Sequence, residues 1–275
     1  RLSLVGSEMC IRDRSKGRMD KKPLILLTND DGIFAKGIKS LVKVARKFGE
    51  VVVVAPNSPQ SGQGHAVTIM DPIRIHKVDV FEGVESWECS GTPVDCVKLA
   101  TNVILKNRKI DLCLSGINHG SNASINILYS GTMSAAMEAS LEGIMSIGVS
   151  LLDYSFNADF SGSELVLEGL IGEVLKSKQE PCLLNVNIPN VPYEEIKGTK
   201  ICRQADGNWE EEFQESRDPR NQPYYWLTGK FVNYDEGEDT DLWALDNNYV
   251  SIVPSHHDLT NYSVLDKLQH LSSEK

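Results

Sequence analysis

Short apolar runs alternate with segments of helical spacing along most of this chain, and this alternation constrains the fold more than any other feature. Apolar runs without polar alternation are typical of strands covered on both faces. The predicted strands are 24–27, 51–55, 110–114, 147–152 and 183–188. Helical spacing between these runs predicts helices over 38–48, from 93, over 131–142 and around 167–174. The alternation predicts an α/β protein with a doubly wound, mostly parallel sheet.

The character of the sequence changes after residue 198, where aromatic, Asp, Asn and Gly residues replace the helical pattern. Segments 224–230 and 249–253 predict antiparallel strands or hairpin arms, and a closing helix is expected near 263–271. We therefore predict a Rossmann-like core over 19–198, followed by β-hairpin arms and a C-terminal helix over 199–275 that complete the same domain. Residues 1–18 are similar to translated sequencing-adapter sequence, and we expect a non-native or disordered extension there.

Charge and cysteine usage restrict the partners and the compartment. The net charge of −10 argues against electrostatic binding to a nucleic acid polymer or to an anionic membrane. No apolar stretch is long enough to span a bilayer. The six cysteines show no close-paired spacing, which is typical of free thiols in a reducing cytoplasm.

Two adjacent carboxylates, Asp30 and Asp31, directly follow the first predicted strand. The carboxyl ends of strands are where an open α/β sheet places its ligand crevice. Neighbouring carboxylates repel each other and are costly to desolvate, and a hard cation with a preference for oxygen ligands would relieve both problems. A solvated turn is the alternative interpretation, because Asn, Asp and Gly are common turn residues.

Three further segments follow predicted strands or open a predicted helix. The loop 55–65 is rich in small residues that permit close approach of a ligand. In the loop 115–122, Asn118 and Asn122 can supply amide oxygens to a metal or amide donors to an oxyanion. The segment 129–132 opens a helix, and helix N-termini bind phosphate through free backbone N–H groups. Each signal is weak alone, and their convergence at one edge of the sheet favours a binding site.

These segments resemble the SurE survival proteins, a family of metal-dependent 5′(3′)-nucleotidases. The resemblance runs in the family's order from about residue 22 to about residue 265. The matching segments are Thr28-Asn29-Asp30-Asp31-Gly32, Val54-Ala55-Pro56 through Ser61-Gly62, Gly91-Thr92-Pro93-Val94-Asp95-Cys96-Val97, Ser115-Gly116-Ile117-Asn118, Asn122, Tyr129-Ser130-Gly131-Thr132 to Ala136-Met137-Glu138, Asp218-Pro219-Arg220, Tyr249-Val250-Ser251-Ile252 and Asp258-Leu259-Thr260.

The resemblance implies a functional role for each part of the predicted crevice. It implies one divalent cation per subunit held by four oxygen donors, and such donors suit Mg²⁺ or Mn²⁺ better than structural zinc. The implied metal ligands are Asp30, Asp31, Ser61 and Asn118. It also implies a nucleoside monophosphate substrate whose phosphate lies beside Asn122, Ser130, Gly131 and Thr132. Asp30, Asp31 and Asn122 are then the predicted catalytic residues.

Histidines near these loops are assigned no role. His65 and His119 could contact a ligand, although surface or packing positions are the simpler interpretation. The run His256-His257-Asp258 looks like a metal cluster, but adjacent side chains on an extended segment point to opposite faces. We therefore do not predict a metal site there.

Metal-assisted attack of water on a phosphate monoester is the predicted reaction. Asp30 as a covalent nucleophile is an alternative, although no Asp-x-Asp signature is present at this position. A nucleotide-binding module without turnover is a second alternative, because a fold does not fix a function. The first strand is not followed by Gly-x-Gly-x-x-Gly, which disfavours a dinucleotide-dependent reductase.

The aromatic side chains of the C-terminal region raise the question of assembly. Tyr224, Tyr225, Trp226, Phe231 and Trp243 offer more aromatic surface than a solvated loop needs. The family resemblance implies that these arms reach a partner subunit, in a homodimer or homotetramer. Packing against the chain's own sheet is the alternative.

Overall fold

A nine-stranded sheet forms the centre of the protein in a computed structural model that describes residues 22–177, 180–210 and 212–273. The described strands are β1 Leu24–Thr28, β2 Glu50–Pro56, β3 Ile75–Val78, β4 Glu85–Cys89, β5 Leu112–His119, β6 Ser146–Leu151, β7 Leu183–Ile188, β8 Thr199–Ile201, β9 Gly207–Glu210, β10 Phe213–Arg217, β11 Pro223–Leu227, β12 Lys230–Asn233 and β13 Val250–Ser255. The α-helices are α1 Lys36–Ala45, α2 Pro93–Leu99, α3 Gly131–Leu141, α4 Ser161–Lys176, α5 Asp241–Asp246 and α6 Tyr262–Leu265. The predicted extension over 1–18 lies outside the described residues.

The strand order of the large sheet is β3-β4-β2-β1-β5-β6-β7-β13-β8. The six strands from β4 to β7 are parallel, while β3 and β13 run antiparallel to their neighbours β4 and β7. The chain builds outward from β1 through β2 and β4, and then returns to β5 to build the other half. The strand order therefore reverses between β1 and β5, as in doubly wound nucleotide-binding sheets. The predicted α/β class and its mostly parallel sheet are confirmed.

Helices cover both faces of the sheet, because alternate residues of each buried strand point to opposite sides. Ile25 and Leu27 belong to a core that includes α1 and α4 side chains. Leu24 and Leu26 belong to a second core that includes α2 and α3 side chains. Residues 24–27 are all buried, which explains why this segment is apolar without alternation. Among the described residues, no helix is long and apolar enough to cross a membrane.

The helix starts follow local signals in the sequence. Thr92 caps α2, and its side chain accepts from the backbone N–H of Asp95 while the Asp95 side chain accepts from the backbone N–H of Thr92. Pro93 occupies the first helical position, where a missing N–H costs nothing. Ser130 caps α3 by accepting from the backbone N–H of Met133 at 3.0 Å. Both predicted helix starts are confirmed.

The structure changes one predicted segment and confirms another. Residues 115–119 were predicted as part of a loop but continue β5, which pairs with β6 across an irregularity between Ser115 and Asn118. Main-chain pairing tolerates the polar side chains that suggested a loop. The segment 249–253 was predicted as an antiparallel strand or hairpin arm, and the antiparallel strand is confirmed, because β13 pairs antiparallel with β7 in the central sheet. The predicted arms are built instead by the pairs β10–β11 and β9–β12.

Candidate functional site

The carboxyl ends of β1 and β5 form a crevice at the point where the strand order reverses. Thr28 of β1 pairs with Ser115 of β5, so the residues that follow these two positions lie on neighbouring strands. Asp30 and Asp31 come directly after β1, and Asn118 is the penultimate residue of β5. This is where an open α/β sheet binds its ligands.

Asp30 is buried against the beginning of α3. The Thr132 hydroxyl donates a hydrogen bond to Oδ1 of Asp30. A Cβ atom at Gly131 would lie only 2.8 Å from Cβ of Asp30, so the helix start and the carboxylate are in close contact. Burial, and secondarily the charge of Asp31, raise the pKa of Asp30 to about 6, although hydrogen bonds from Thr132 oppose the shift. The carboxylate therefore depends on its partners to remain charged.

Asp31 is half-buried and carries an unsatisfied atom. Its Oδ2 is inaccessible to solvent and has no hydrogen-bond partner in the described part of the chain. Burial raises the pKa of Asp31, while the charge and the backbone amide of His119 act in the opposite direction. A buried carboxylate oxygen without a partner is costly. A divalent cation bound by oxygen ligands would satisfy this atom, so the site fits such an ion.

Asn29 contributes a second side-chain oxygen that is buried without a hydrogen-bond partner among the described residues. Its amide nitrogen donates to the backbone oxygen of Gly32 at 2.9 Å, whereas its Oδ1 is buried without a partner among the described residues. Asn29 was not among the predicted site residues. The signal was present in the sequence, because this amide immediately precedes the two aspartates.

Asn118 presents its amide with a defined orientation. Its Nδ2 donates to the backbone oxygens of His119 at 3.2 Å and Gly120 at 3.0 Å. Because the nitrogen is engaged by the protein, the oxygen is the end of the amide that can bind a ligand. This arrangement suits the predicted role of Asn118 as an oxygen donor to a metal.

Asn122 is buried in a network of amides and a hydroxyl at the ends of β6 and β7. Its Nδ2 donates to Oγ of Ser150 at 2.7 Å, and its backbone N–H donates to Oδ1 of Asn187 at 2.8 Å. Nδ2 of Asn185 donates to the backbone oxygen of Asn122 at 2.8 Å, and Nδ2 of Asn187 donates to Oδ1 of Asn185 at 2.9 Å. Asn122 is therefore held rigidly between two strands.

The loop that carries Ser61 is tied at both ends to the elements of the crevice. The backbone N–H of Gln60 donates to the backbone oxygen of Asp30 at 2.7 Å. At the other end, the backbone N–H of Gly64 donates to the backbone oxygen of Tyr129 at 3.1 Å. Ser61 is exposed between these anchors, and no hydrogen bond joins it to either aspartate within the ranges that the structure describes. The structure thus anchors the loop that carries Ser61 beside Asp30.

A buried carboxylate fixes the same loop from the side of α3. Glu138 is bonded through Oε2 to Nε2 of His65 at 2.9 Å and through Oε1 to the Lys98 ammonium. Burial raises the pKa of Glu138, but the hydrogen bonds and charges of Lys98 and His65 outweigh it, so the pKa lies below its usual value. His65 therefore contacts a structural carboxylate.

His119 lines a cleft that opens beside Asp31. Its ring packs edge-on against Phe160, with 5.1 Å between the ring centroids. The cleft has a volume of about 520 Å³ and is also lined by three aromatic side chains that the sequence prediction did not include, Phe34, Tyr154 and Phe156. Elsewhere, the rings of His256 and His257 stack at 4.6 Å. No group of three or more His, Cys, Asp or Glu residues in the described ranges is placed to hold a metal ion.

The fold and the crevice together define a doubly wound α/β protein whose candidate ligand site lies at the switch point between β1 and β5. The family model described as survival protein SurE matches residues 25–211. The chain belongs to the SurE family.

Relatives and a solved structure match nearly the whole chain. It is 57% identical over 251 residues to a protein of Christiangramia forsetii named 5′-nucleotidase SurE, covering 90% of this chain and 96% of the relative. A protein of the same name from Flavobacterium psychrophilum is 54% identical over 256 residues, covering 92% and 99%. The crystal structure of the SurE protein from Aquifex aeolicus is 42% identical, with a TM-score of 0.79, and covers 90% and 99%. Nucleotidases of this family depend in general on a metal ion.

Proposed function

We propose that this chain hydrolyses nucleoside monophosphates to a nucleoside and inorganic phosphate, as a 5′-nucleotidase of the SurE type that also accepts 3′-monophosphates. Relatives named 5′-nucleotidase support the activity, since they match the chain over nearly its full length. The observation that carries the proposal is the buried, unpartnered Oδ2 of Asp31, next to an aspartate that contacts the start of α3. Such a crevice can take a cation and an anion side by side.

One divalent cation per subunit, Mg²⁺ or Mn²⁺, would be held by Asp30, Asp31, Ser61 and Asn118. All four side chains offer oxygen, which both ions prefer. When bound, the ion supplies neutralisation of charge on the phosphoryl group and a water molecule of lowered pKa. Thr132 keeps Asp30 in place through its hydroxyl, and the two backbone oxygens bonded by Asn118 keep its amide oxygen turned outward.

The substrate's phosphate would be bound by Asn122 and by the start of α3. The Ser130 side chain accepts a hydrogen bond from the backbone N–H of Met133. The backbone N–H groups of Gly131 and Thr132 lie before Met133 in the first turn, where α-helical N–H groups have no partner within the helix. These groups, together with the positive end of the helix dipole, favour a dianionic phosphate despite the acidic net charge. Asn122 is fixed by its network and would orient a phosphoryl oxygen. Water then forms the new P–O bond, and the bond to the nucleoside oxygen breaks.

The hairpin arm would contact a partner subunit in a homodimer or homotetramer. Several large apolar side chains of β10 and β11 are exposed. Exposed apolar patches mark protein interfaces. The exposed residues are Phe213, Tyr224, Tyr225, Trp226 and Leu227. We also propose a cytoplasmic location, because the five cysteines that the structure describes are free thiols. Light scattering at micromolar concentration tests the assembly, and a monomeric mass would reject it.

Phosphate release from nucleoside monophosphates, with and without divalent metal, tests the activity. We expect turnover with Mn²⁺ or Mg²⁺, loss of turnover in EDTA, and recovery when metal is restored. Absence of release with every divalent metal would reject the hydrolase, and persistent turnover in EDTA would reject the role of the metal. A phosphoenzyme sensitive to hydroxylamine would show that a carboxylate such as Asp30, rather than water, attacks phosphorus.

A further inference from the structure

The cleft beside Asp31 has walls that are aromatic and unusually exposed. Phe34, Tyr154 and Phe156 are 69%, 74% and 95% exposed. They come from two separate segments, the loop before α1 and the loop after β6, and they line one cleft together with Asp31 and His119. Apolar rings from distant parts of a chain that converge without being covered mark a binding surface.

The ring of Tyr154 packs against the backbone at Gly120. A Cβ atom at Gly120 would lie 2.3 Å from Cε1 of Tyr154 and 2.8 Å from Cδ1, so any larger residue would displace the ring. The backbone N–H of Ser121 faces the Tyr154 hydroxyl at 3.4 Å. One side of the ring is therefore supported by the segment that follows β5, while most of its surface remains accessible.

A lysine joins the two walls of the cleft. Nζ of Lys36 donates to the backbone oxygen of Phe156 at 3.0 Å and lies 3.3 Å from Oδ1 of Asn157. Because Lys36 is the first residue of α1, this bond ties the loop that carries Phe156 to the segment that carries Phe34. The spacing of the aromatic walls is thus set by the fold rather than by contact between the rings.

We propose that this cleft binds the nucleobase of the substrate, with the base stacked on the aromatic rings of Phe34, Tyr154 and Phe156. This inference rests on the proposed nucleotidase function and adds the base subsite to it. Every base offers a π face, so aromatic walls bind bases with little sequence preference. The cleft opens on Asp31, while the neighbouring Asp30 contacts the start of α3. The proposed base subsite therefore adjoins Asp31, and the proposed phosphate subsite adjoins Asp30.

Kinetics on two esters that share the reacting group test the proposal. Adenosine 5′-monophosphate carries a base and ribose 5-phosphate does not. In Phe156→Ala and Tyr154→Ala we expect kcat/KM for the nucleotide to fall about 5- to 100-fold, as loss of one stacking partner predicts. Activity on ribose 5-phosphate should stay within about twofold of the unchanged protein. Tyr262→Ala, which removes an exposed aromatic ring outside the cleft, should leave both activities unchanged.

Binding of adenosine alone gives a readout that needs no turnover. Equilibrium dialysis should show adenosine bound to the unchanged protein and bound about 5- to 100-fold more weakly to Phe156→Ala. Absence of adenosine binding to the unchanged protein would overturn the base subsite, as would equal losses on the two esters. If the variants change the mass in solution but change neither activity, the rings contact a second copy of the chain and not a base. If the unchanged protein hydrolyses neither ester yet binds adenosine in this cleft, the nucleotidase fails and the base subsite stands.

Discussion

Polar groups are buried in the crevice at β1 and β5, whereas large apolar groups are exposed on the hairpin arm formed by β10 and β11. Both arrangements are the reverse of the usual distribution. In the crevice, Asp30 and Asn122 are buried, and an oxygen of Asp31 has no partner among the described residues. On the arm, Trp226 and Leu227 are 62% and 73% exposed. Burial of polar groups and exposure of large apolar groups are both costly. Under the proposed function, a different chemistry would complete each region: a cation and a phosphate in the crevice, and an apolar surface on the arm.

The two regions also differ in how firmly they are attached. The crevice is bounded by parallel strands and by a helix start that contacts a carboxylate. The tip of the arm pairs only with itself, through the β10–β11 ladder, as far as the described residues show. Its base is anchored, because Nε1 of Trp209 donates to Oδ1 of Asn126 at 2.8 Å. We therefore expect substitutions in the crevice to change the reaction, and substitutions at the tip to change the assembly.

Loss of a carboxylate in the crevice should have the largest effect on the reaction. Asp31→Asn and Asp30→Asn should each lower kcat/KM for a nucleoside monophosphate by about 100-fold or more, because each removes a charge that the cation site needs. Steady-state phosphate release at saturating Mn²⁺ measures this. The mass in solution should not change, since neither residue belongs to β10 or β11.

Asp246→Asn is the matched control, because Asp246 is an exposed aspartate on α5. Circular dichroism and thermal unfolding would show that the crevice variants are folded. Full activity in both crevice variants at saturating metal would place the active site elsewhere.

Gly131→Ala should have the next largest effect and shows how closely the helix start must approach the carboxylate. The added Cβ would lie 2.8 Å from Cβ of Asp30 and 3.1 Å from its Oδ2, so α3 or Asp30 must shift. A displacement of this kind at a reacting centre should lower kcat/KM by about 10- to 100-fold.

Gly169→Ala is the control for the effect of alanine in a helix. Gly169 lies within α4, and a Cβ there would meet nothing within 4 Å. This variant should keep its activity and gain about 0.5–1 kcal/mol in the free energy of unfolding. Unchanged kinetics in Gly131→Ala would contradict a close role for this helix start.

Trp226→Glu should weaken self-association and leave the reaction intact. A charge on the apolar face of the arm should raise the dissociation constant of the assembly by about 30-fold, as loss of a central interface residue predicts. Sedimentation velocity over a concentration series measures the change. Leu271→Glu places the same charge at another exposed apolar position and should have no effect. Equal masses for Trp226→Glu and the unchanged protein would remove the arm from the interface.

Glu138→Gln should have the smallest effect, and its dependence on pH has a defined sign. The pKa of Glu138 is lower in the folded protein, so its ion pairs stabilise the fold above the pKa of the unfolded state, about 4.3, and this stabilisation is lost as pH falls through the folded pKa. We expect a loss of about 1–2 kcal/mol at pH 7, because Lys98 is partly exposed and screened by solvent. Urea unfolding should show the difference shrinking as pH falls below the unfolded pKa and vanishing once pH lies below the folded pKa.

Glu142→Gln, an exposed change just beyond the end of α3, is the control for this measurement. It should leave the free energy of unfolding unchanged at every pH. A difference between Glu138→Gln and the unchanged protein that stays constant as pH falls through the folded pKa of Glu138 would show that packing, and not charge, explains the loss.

Burial decided how much of the fold the sequence could predict. Strands such as β1 and β2 are buried on both faces, so residues 24–27 and 51–55 form continuous apolar runs. The edge strand β3 and its neighbour β4 were missed, because their partly exposed, mixed residues form no such run. The position of β13 beside β7 depends on pairing between segments more than sixty residues apart, which local spacing does not encode.

In the candidate site, too, local sequence predicted some features, whereas others depend on contacts between distant segments. The location of Asp30 and Asp31 at a strand end follows from local sequence, because a buried run precedes them. The bond from Thr132 to Asp30 joins positions 102 residues apart and required the fold. The aromatic cleft required it as well, since Phe34 and Phe156 are remote in the chain and only the assembled sheet brings their loops together.

The asparagine network beneath the crevice has a consequence for how the protein responds to its surroundings. Asn122, Asn185, Asn187 and Ser150 hold one another through amide and hydroxyl groups, none of which gains or loses a proton in the range where proteins work. This network beneath the crevice therefore keeps the same shape and the same hydrogen-bond donors from acid to alkaline solution. Changes of activity with pH then report the ionisation of the carboxylates and of the ligand, on a support that does not itself titrate.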